Sequence, residues 1–211
     1  MMPPCVPQDL IVLAADLSMQ RTLEAVLKRP KSLGIRKISY SVIQQPHYDS
    51  GVLQSGHRTL QSQNKNYRHA LAICDRHGCG KESLSRDELE KLIEDGLSHH
   101  WGDSAAAIVI DPELENWLWA NSPHVAEEIG WTRGISDLRA WLHNAGFLPQ
   151  GQSKPSDPKA AMQRVLRLTK KHSPTALFQA IAKRVSLQRC VDPAFLKLKE
   201  TLRRWFPAAN A

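Results

Sequence analysis

Ala70-Leu71-Ala72-Ile73-Cys74-Asp75-Arg76-His77-Gly78-Cys79-Gly80-Lys81-Glu82 begins as an apolar run, ends that run in a carboxylate, and continues through two glycines into charged sequence. An inner strand of a parallel sheet, buried on both faces, has this unbroken apolar character. An aspartate at its C-terminal end stands where open α/β sheets bind ligands. The pattern occurs twice more: Leu10 to Ala15 runs into Asp16, and Ala105 to Ile110 runs into Asp111. Helix-length segments separate these runs, which predicts an α/β fold with a parallel or mixed sheet flanked by helices.

Working outward, Leu10–Ala15, Ile35–Ile43, His69–Cys74 and Ala105–Ile110 are the expected strands. Met19–Lys28 reads as a helix capped by Asp16 or Ser18 and ended by Pro30. Gln44 to Gly51 reads as a loop in which His47 and Asp49 are able to do chemistry, and a weak helix follows over Val52–Gln63. Ser85-Arg86-Asp87-Glu88 has the form of a capping box, with Leu89, Leu92, Ile93 and Leu97 as the buried stripe behind it. Asp111-Pro112-Glu113 predicts a cap, a proline in the first helical position and an acidic first turn on a helix that carries Glu115, Trp117 and Trp119. Further helix is expected between Trp131 and Phe147, ending near Gly146, and Gln150 to Pro155 reads as a linker. Beyond it, Asp157-Pro158, Ser173-Pro174 and Asp192-Pro193 each announce a helix start.

Charge divides the 211 residues at the same linker. Residues 1–150 carry 15 Lys/Arg against 18 Asp/Glu, whereas 151–211 carry 13 against 3, for a total of +7. The expected organisation is an α/β domain over 1–150 followed by a basic helical tail over 151–211. A basic tail suits a polyanionic partner, nucleic acid ahead of a membrane surface, or else is a solvated helical face. The tail cations expected to grip phosphates are Lys170, Lys171, Lys183, Arg184, Arg203 and Arg204. No apolar run approaches bilayer length, and Met1 to Cys5 lack the form of a signal peptide, so a cytoplasmic protein is expected. The four cysteines are too few and scattered for a disulfide framework and are read as thiols.

Carboxylates converging at one sheet edge need a compensating cation, and an all-oxygen donor set favours Mg²⁺ or Mn²⁺ over zinc. The candidate ligands are Asp16, Asp75, Asp111, Glu113 and Glu115. On a helix Glu113 and Glu115 diverge by about 200°, so only one is expected to face the ion, with Glu113 the nearer. Asp75 is the foremost catalytic candidate, because Gly78 and Gly80 after it suit close approach of a ligand. His77 is a candidate base or phosphate contact. Cys74, His77 and Cys79 lack the second pair that a zinc finger needs, and Trp117 and Trp119 are read as packing residues.

Several segments carry a resemblance: Leu13 to Met19, Leu33 to Arg36, Cys74 to Gly80, Trp101-Gly102-Asp103, Ile110 to Trp119, Asp192 to Phe195 and Trp205-Phe206-Pro207. Together they resemble small proteins of prokaryotic methylation-associated anti-phage defence systems, a group similar in turn to TOPRIM-like proteins. The resemblance implies a TOPRIM-like core. In such domains a glutamate after the first strand and an Asp-x-Asp pair after a later one hold Mg²⁺ for DNA cleavage or joining. Asp75 matches the first aspartate of the pair, and the second falls on His77. No glutamate follows the first strand; Asp16 is the nearest carboxylate, with Glu113 and Glu115 as compensating candidates. The implied function is a metal-dependent nuclease subunit acting on nucleic acid, DNA foremost, beside other subunits of the same system. The alternative is an adaptor with a degenerate site that binds nucleic acid or partner subunits. Homo-oligomerisation stays open.

Overall fold

A computed structural model of the chain describes residues 6–171 and 174–208. Cys5 and the expected cap Ser173 lie outside them. Among the described residues four strands form a single sheet: β1 (Gln8–Ala14), β2 (Tyr40–Gln44), β3 (Tyr67–Asp75) and β4 (Ala105–Ile110). They lie in the order β2-β1-β3-β4, and every pairing is parallel, so of the two expected sheet types this is the parallel one. The expected apolar runs are its inner rows: Leu10 to Ala15, Ala70 to Cys74 and Ala106 to Ile110 are all buried.

Helices cover both faces. The chain steps from β1 outward to β2 through α1 (Leu17–Leu27) and the short α2 (Pro30–Leu33). It then returns past β1 to β3 through α3 (Tyr48–Gln61), and moves on to β4 through α4 (Arg86–Trp101). Right-handed crossovers that reverse direction in this way put α1 on one face and α3 with α4 on the other. The reversal also creates a switch point between the C-terminal ends of β1 and β3, the crevice in which such sheets bind ligands. Asp16 and Asp75 stand on its two sides.

After β4 come α5 (Glu115–Leu118), α6 (Pro123–Glu128) and α7 (Gly134–Asn144), followed by α8 (Pro158–Thr169), α9 (Pro174–Arg184) and α10 (Pro193–Trp205). Each of the last three begins on the proline that announced it, and Asp157 and Asp192 cap α8 and α10 through bonds to backbone amides. These helices close over the sheet. Helix α9 lies along α1, where Ser18 and Thr175 join hydroxyls at 2.8 Å and Arg29 Nη1 donates to Ala182 O and Val185 O. Helix α10 lies against β4, with Leu198, Leu202 and Phe206 fully buried. No helix among the described residues is long and apolar enough to cross a membrane.

Four expectations about elements need correction. The helix expected from Val52 begins at Tyr48, so Asp49 belongs to α3 and not to the loop before it. The second strand begins at Tyr40, not Ile35, because Ile35 pairs with Pro207 and the Arg36 amide donates to Phe206 O, drawing that segment to the chain's end instead of the sheet. Pro30 does not simply end α1 but starts α2. No helix starts at Pro112. The Ile110 and Pro112 carbonyls accept from the Arg76 and His77 amides, so the backbone stays tied to the loop after β3 and turns helical only at Glu115.

Candidate metal centre

Asp75 closes β3, and its position fixes the site. Its Oδ1 is buried and has no hydrogen-bond partner, although the residue as a whole keeps some contact with solvent. One carboxylate oxygen each from Asp75, Glu113 and Glu115 lie within 4.8 Å of one another, an all-oxygen set that could hold a metal ion. Both glutamates are buried. They reach the same point because they do not share a helix. Glu113 sits in the non-helical turn before α5 and Glu115 is that helix's first residue, so the expected divergence of about 200° does not arise.

Asp49, in the first turn of α3, completes the acidic surroundings. Its Oδ1 accepts from the Asp75 amide at 2.7 Å, and a Cβ on Gly78 would sit 3.7 Å from its Oδ2. Gly78 and Gly80 both have positive φ, and their amides converge on the Glu82 carboxylate at 3.0 and 3.1 Å. The glycine turn therefore folds around a carboxylate of its own while passing close to Asp49.

The electrostatics follow from this crowding. Burial, reinforced by the charges of Asp49, Glu115 and Asp16, holds the Asp75 carboxyl well above the usual carboxylate range. Burial raises Asp49 to about 6, with the Asp16 charge adding to the effect. Glu115 is raised by burial and by Glu113. Against these stands one ammonium: Lys159, in the first turn of α8, places Nζ 2.8 Å from Glu113 Oε2, and its pKa rises in response. At ~5 Å and an effective dielectric of about 20, each pair of like charges costs roughly 3 kcal/mol. Three such pairs would consume most of a domain's stability of about 5–15 kcal/mol. One lysine offsets that only in part, its contact with Glu113 being worth roughly 6 kcal/mol on the same scale, and the raised carboxyl pKa values fit a cluster that also takes up protons or a cation. The orphaned Oδ1, the oxygen-only donors and the excess of negative charge all fit a hard divalent cation.

The other candidates are placed differently. Asp16 lies close enough to raise Asp49, Asp75 and Glu115, but its Oδ1 caps α1 by accepting from Met19 N at 2.7 Å, and it is not one of the three clustered carboxylates. Asp111 is exposed, pairs with Arg76 at 3.5 Å and stands outside the cluster. His77 is exposed, and its imidazole makes no hydrogen bond among the described residues. Cys74 and Cys79 are buried free thiols. Lys170 and Lys171 follow α8 and Lys183 lies in the last turn of α9, all exposed. Arg184 pairs with Glu127 and Glu128, and Arg203 Nε donates to Leu33 O at 2.7 Å. Arg204, exposed, lines a cleft beside His69 and Trp205.

Sequence reasoning names Asp49 beside His47 as a loop residue able to do chemistry, without joining it to Asp75, and gives Lys159 no role of its own within the basic tail. Asp49 is accessible to it in principle, since every loop after a strand of a parallel sheet emerges at the same edge. Nothing local to Lys159 announces that α8 reaches back to Glu113. Comparison of the chain with family models, with curated proteins and with solved structures returns no match.

Proposed function

We propose that this chain is a cytoplasmic component of a prokaryotic anti-phage defence system whose TOPRIM-like core cleaves nucleic acid, DNA in the first instance, with Mg²⁺ or Mn²⁺. The defence-system part rests on the sequence resemblance. The nuclease part rests on one observation: three carboxylates from two segments meet at the sheet's ligand-binding edge around an unpartnered, buried Asp75 oxygen. Asp75, Glu113 and Glu115 would hold the ion. When bound, it stabilises negative charge on the attacking and leaving oxygens of a phosphodiester. Asp49 orients Asp75 by accepting from its amide. His77, at the exposed rim, is the candidate base or phosphate contact, and the tail cations steer the polyanion toward the site.

A second reading has its own support. Lys159 already supplies Glu113 with a counter-charge, as expected of an adaptor whose site has exchanged an ion for a lysine and which only binds nucleic acid or partner subunits.

Calorimetric and melting titrations with Mn²⁺, run beside a DNA-cleavage assay on wild type and Asp75→Asn, separate the two. Under the nuclease reading Mn²⁺ raises the melting temperature of the wild type and supports cutting. Asp75→Asn loses both effects, yet melts about 2–6 °C higher than wild type without metal, because folding no longer has to desolvate or protonate a crowded carboxylate. A wild type that neither binds Mn²⁺ nor cuts leaves the adaptor reading standing.

A further inference from the structure

A cavity of about 740 Å³, lined by none of the three carboxylates, lies between α1, α5, α9 and the loop from α9 to α10. That volume is in the range of small-molecule sites, and the walls have the usual division of labour: an apolar body with a few convergent polar groups. Val26, Trp117, Leu118, Trp119, Leu187 and Phe195 supply the apolar part. Both indole N–H groups are already spent, Trp117 on Asp192 Oδ1 and Trp119 on Pro158 O, so the rings offer only carbon surface to an occupant.

The polar part is of one sign. Arg29, Lys154, Arg184 and Arg189 line the cavity with His124, and no carboxylate does. Lys154 and Arg184 are balanced from outside the lining, by Asp192 and by Glu127 with Glu128. Arg29 and Arg189 have no carboxylate partner among the described residues. The bonds of Arg29 to Ala182 O and Val185 O use Nη1 alone, so that Nε and Nη2 make none among the described residues, and the Arg189 guanidinium makes none there either. Two guanidiniums without carboxylate partners line this aromatic-walled cavity, and each offers planar, bidentate donors suited to a phosphate.

We propose that this cavity binds a phosphate-bearing ligand of mononucleotide size, its ring against the tryptophan side and its phosphate on Arg29 and Arg189. The same chemistry is presented by a free nucleotide and by the phosphorylated end of a strand. The site is separate from the carboxylate cluster and does not depend on the nuclease reading.

Calorimetry on the full chain tests it with adenosine 5′-monophosphate, adenosine, inorganic phosphate, and a tetranucleotide with and without a 5′-phosphate. The expected result is that the monophosphate or the phosphorylated tetranucleotide binds at least about tenfold more tightly than adenosine or phosphate alone. Preference for the monophosphate identifies a free nucleotide as the source; preference for the phosphorylated strand identifies an end. Arg29→Lys risks the cap on α9, so Arg189→Glu, on an exposed loop, is the deciding variant. It should weaken binding at least about tenfold with an unchanged melting temperature. No heat from any probe at about 1 mM, adenosine binding as well as its monophosphate, or affinity indifferent to Arg189→Glu would each overturn the proposal.

Discussion

At the scale of single residues, charge is used in two opposite ways. In the acidic cluster burial and like charges raise carboxyl pKa values; at the other end of β1 a carboxylate is held low. Asp9 accepts from both terminal nitrogens of Arg36, at 2.6 and 3.1 Å, and from the Ser39 amide at 2.9 Å, fastening the segment before β2 to the start of β1. The bond to Arg36 is the largest influence and depresses the Asp9 pKa to about 2. A depressed carboxyl stabilises the fold above its unfolded value of about 3.9, and that stabilisation is lost as pH falls through the folded value. Arg36 is 41% exposed, so the contribution is screened, below about 1 kcal/mol. Urea unfolding of Asp9→Asn should show this small deficit at pH 7 and none near pH 2. A deficit that persisted at low pH would mean the carboxylate does not act through its charge. These residue-level partnerships are what the sequence conceals most. Asp75 is legible because it terminates its own apolar run. Asp49 and Lys159 meet the cluster through α3 and α8, from sequence 26 and 84 residues away.

At the scale of elements, β4 shows how an exposed edge is closed without another strand. An edge strand presents unpaired amides, a liability for aggregation. Here α4 covers them: Glu90 Oε1 accepts from Val109 N and Glu94 Oε1 from Ala107 N, both at 3.0 Å, while Lys197 of α10 bridges the two carboxylates. Glu90 is 3% exposed, so Glu90→Ala strands a buried amide and removes one of the two carboxylates that Lys197 bridges. Chemical denaturation should show a loss of about 2–3 kcal/mol, against roughly 1 kcal/mol for Glu94→Ala, whose side chain is 35% exposed. Equal losses would mean that water serves the strand edge in place of Glu90. The strand itself is plain in the sequence, because burial on both faces leaves Ala105 to Ile110 no polar position. Ile35 to Ser39 misleads for the converse reason. Ile35 is buried and Ile38 packs against the core, so the segment sets apolar residues among polar ones as a half-buried strand does, but without the ladder. The helix expected at Pro112 fails because the Pro112 carbonyl, which its first turn would have used, is bonded to the loop after β3, as is the Ile110 carbonyl just before it.

At the scale of the whole molecule, the basic region is woven into the acidic one. Lys159 joins Glu113, Lys197 joins Glu90 and Glu94, Arg184 joins Glu127 and Glu128, and Arg203 caps the Leu33 carbonyl. Much of the positive charge that distinguishes residues 151–211 is therefore engaged in holding the tail helices to the sheet. Lys170, Lys171 and Lys183 make no ion pair among the described residues and are exposed, so their charge is available to a polyanion. On duplex DNA, every phosphate that a lysine ceases to neutralise should flatten the dependence of log K on log salt by about 0.9. If the proposed nucleic-acid binding runs through these lysines, the triple substitution to Ala lowers affinity at low salt and reduces that slope by roughly 2–3, with the melting temperature unchanged. Arg184→Ala and Arg203→Ala should do the reverse, lowering the melting temperature while leaving most of the slope in place, since those guanidiniums are engaged within the fold. A slope indifferent to the three lysines would remove this face from the binding surface and leave their charge serving solubility alone.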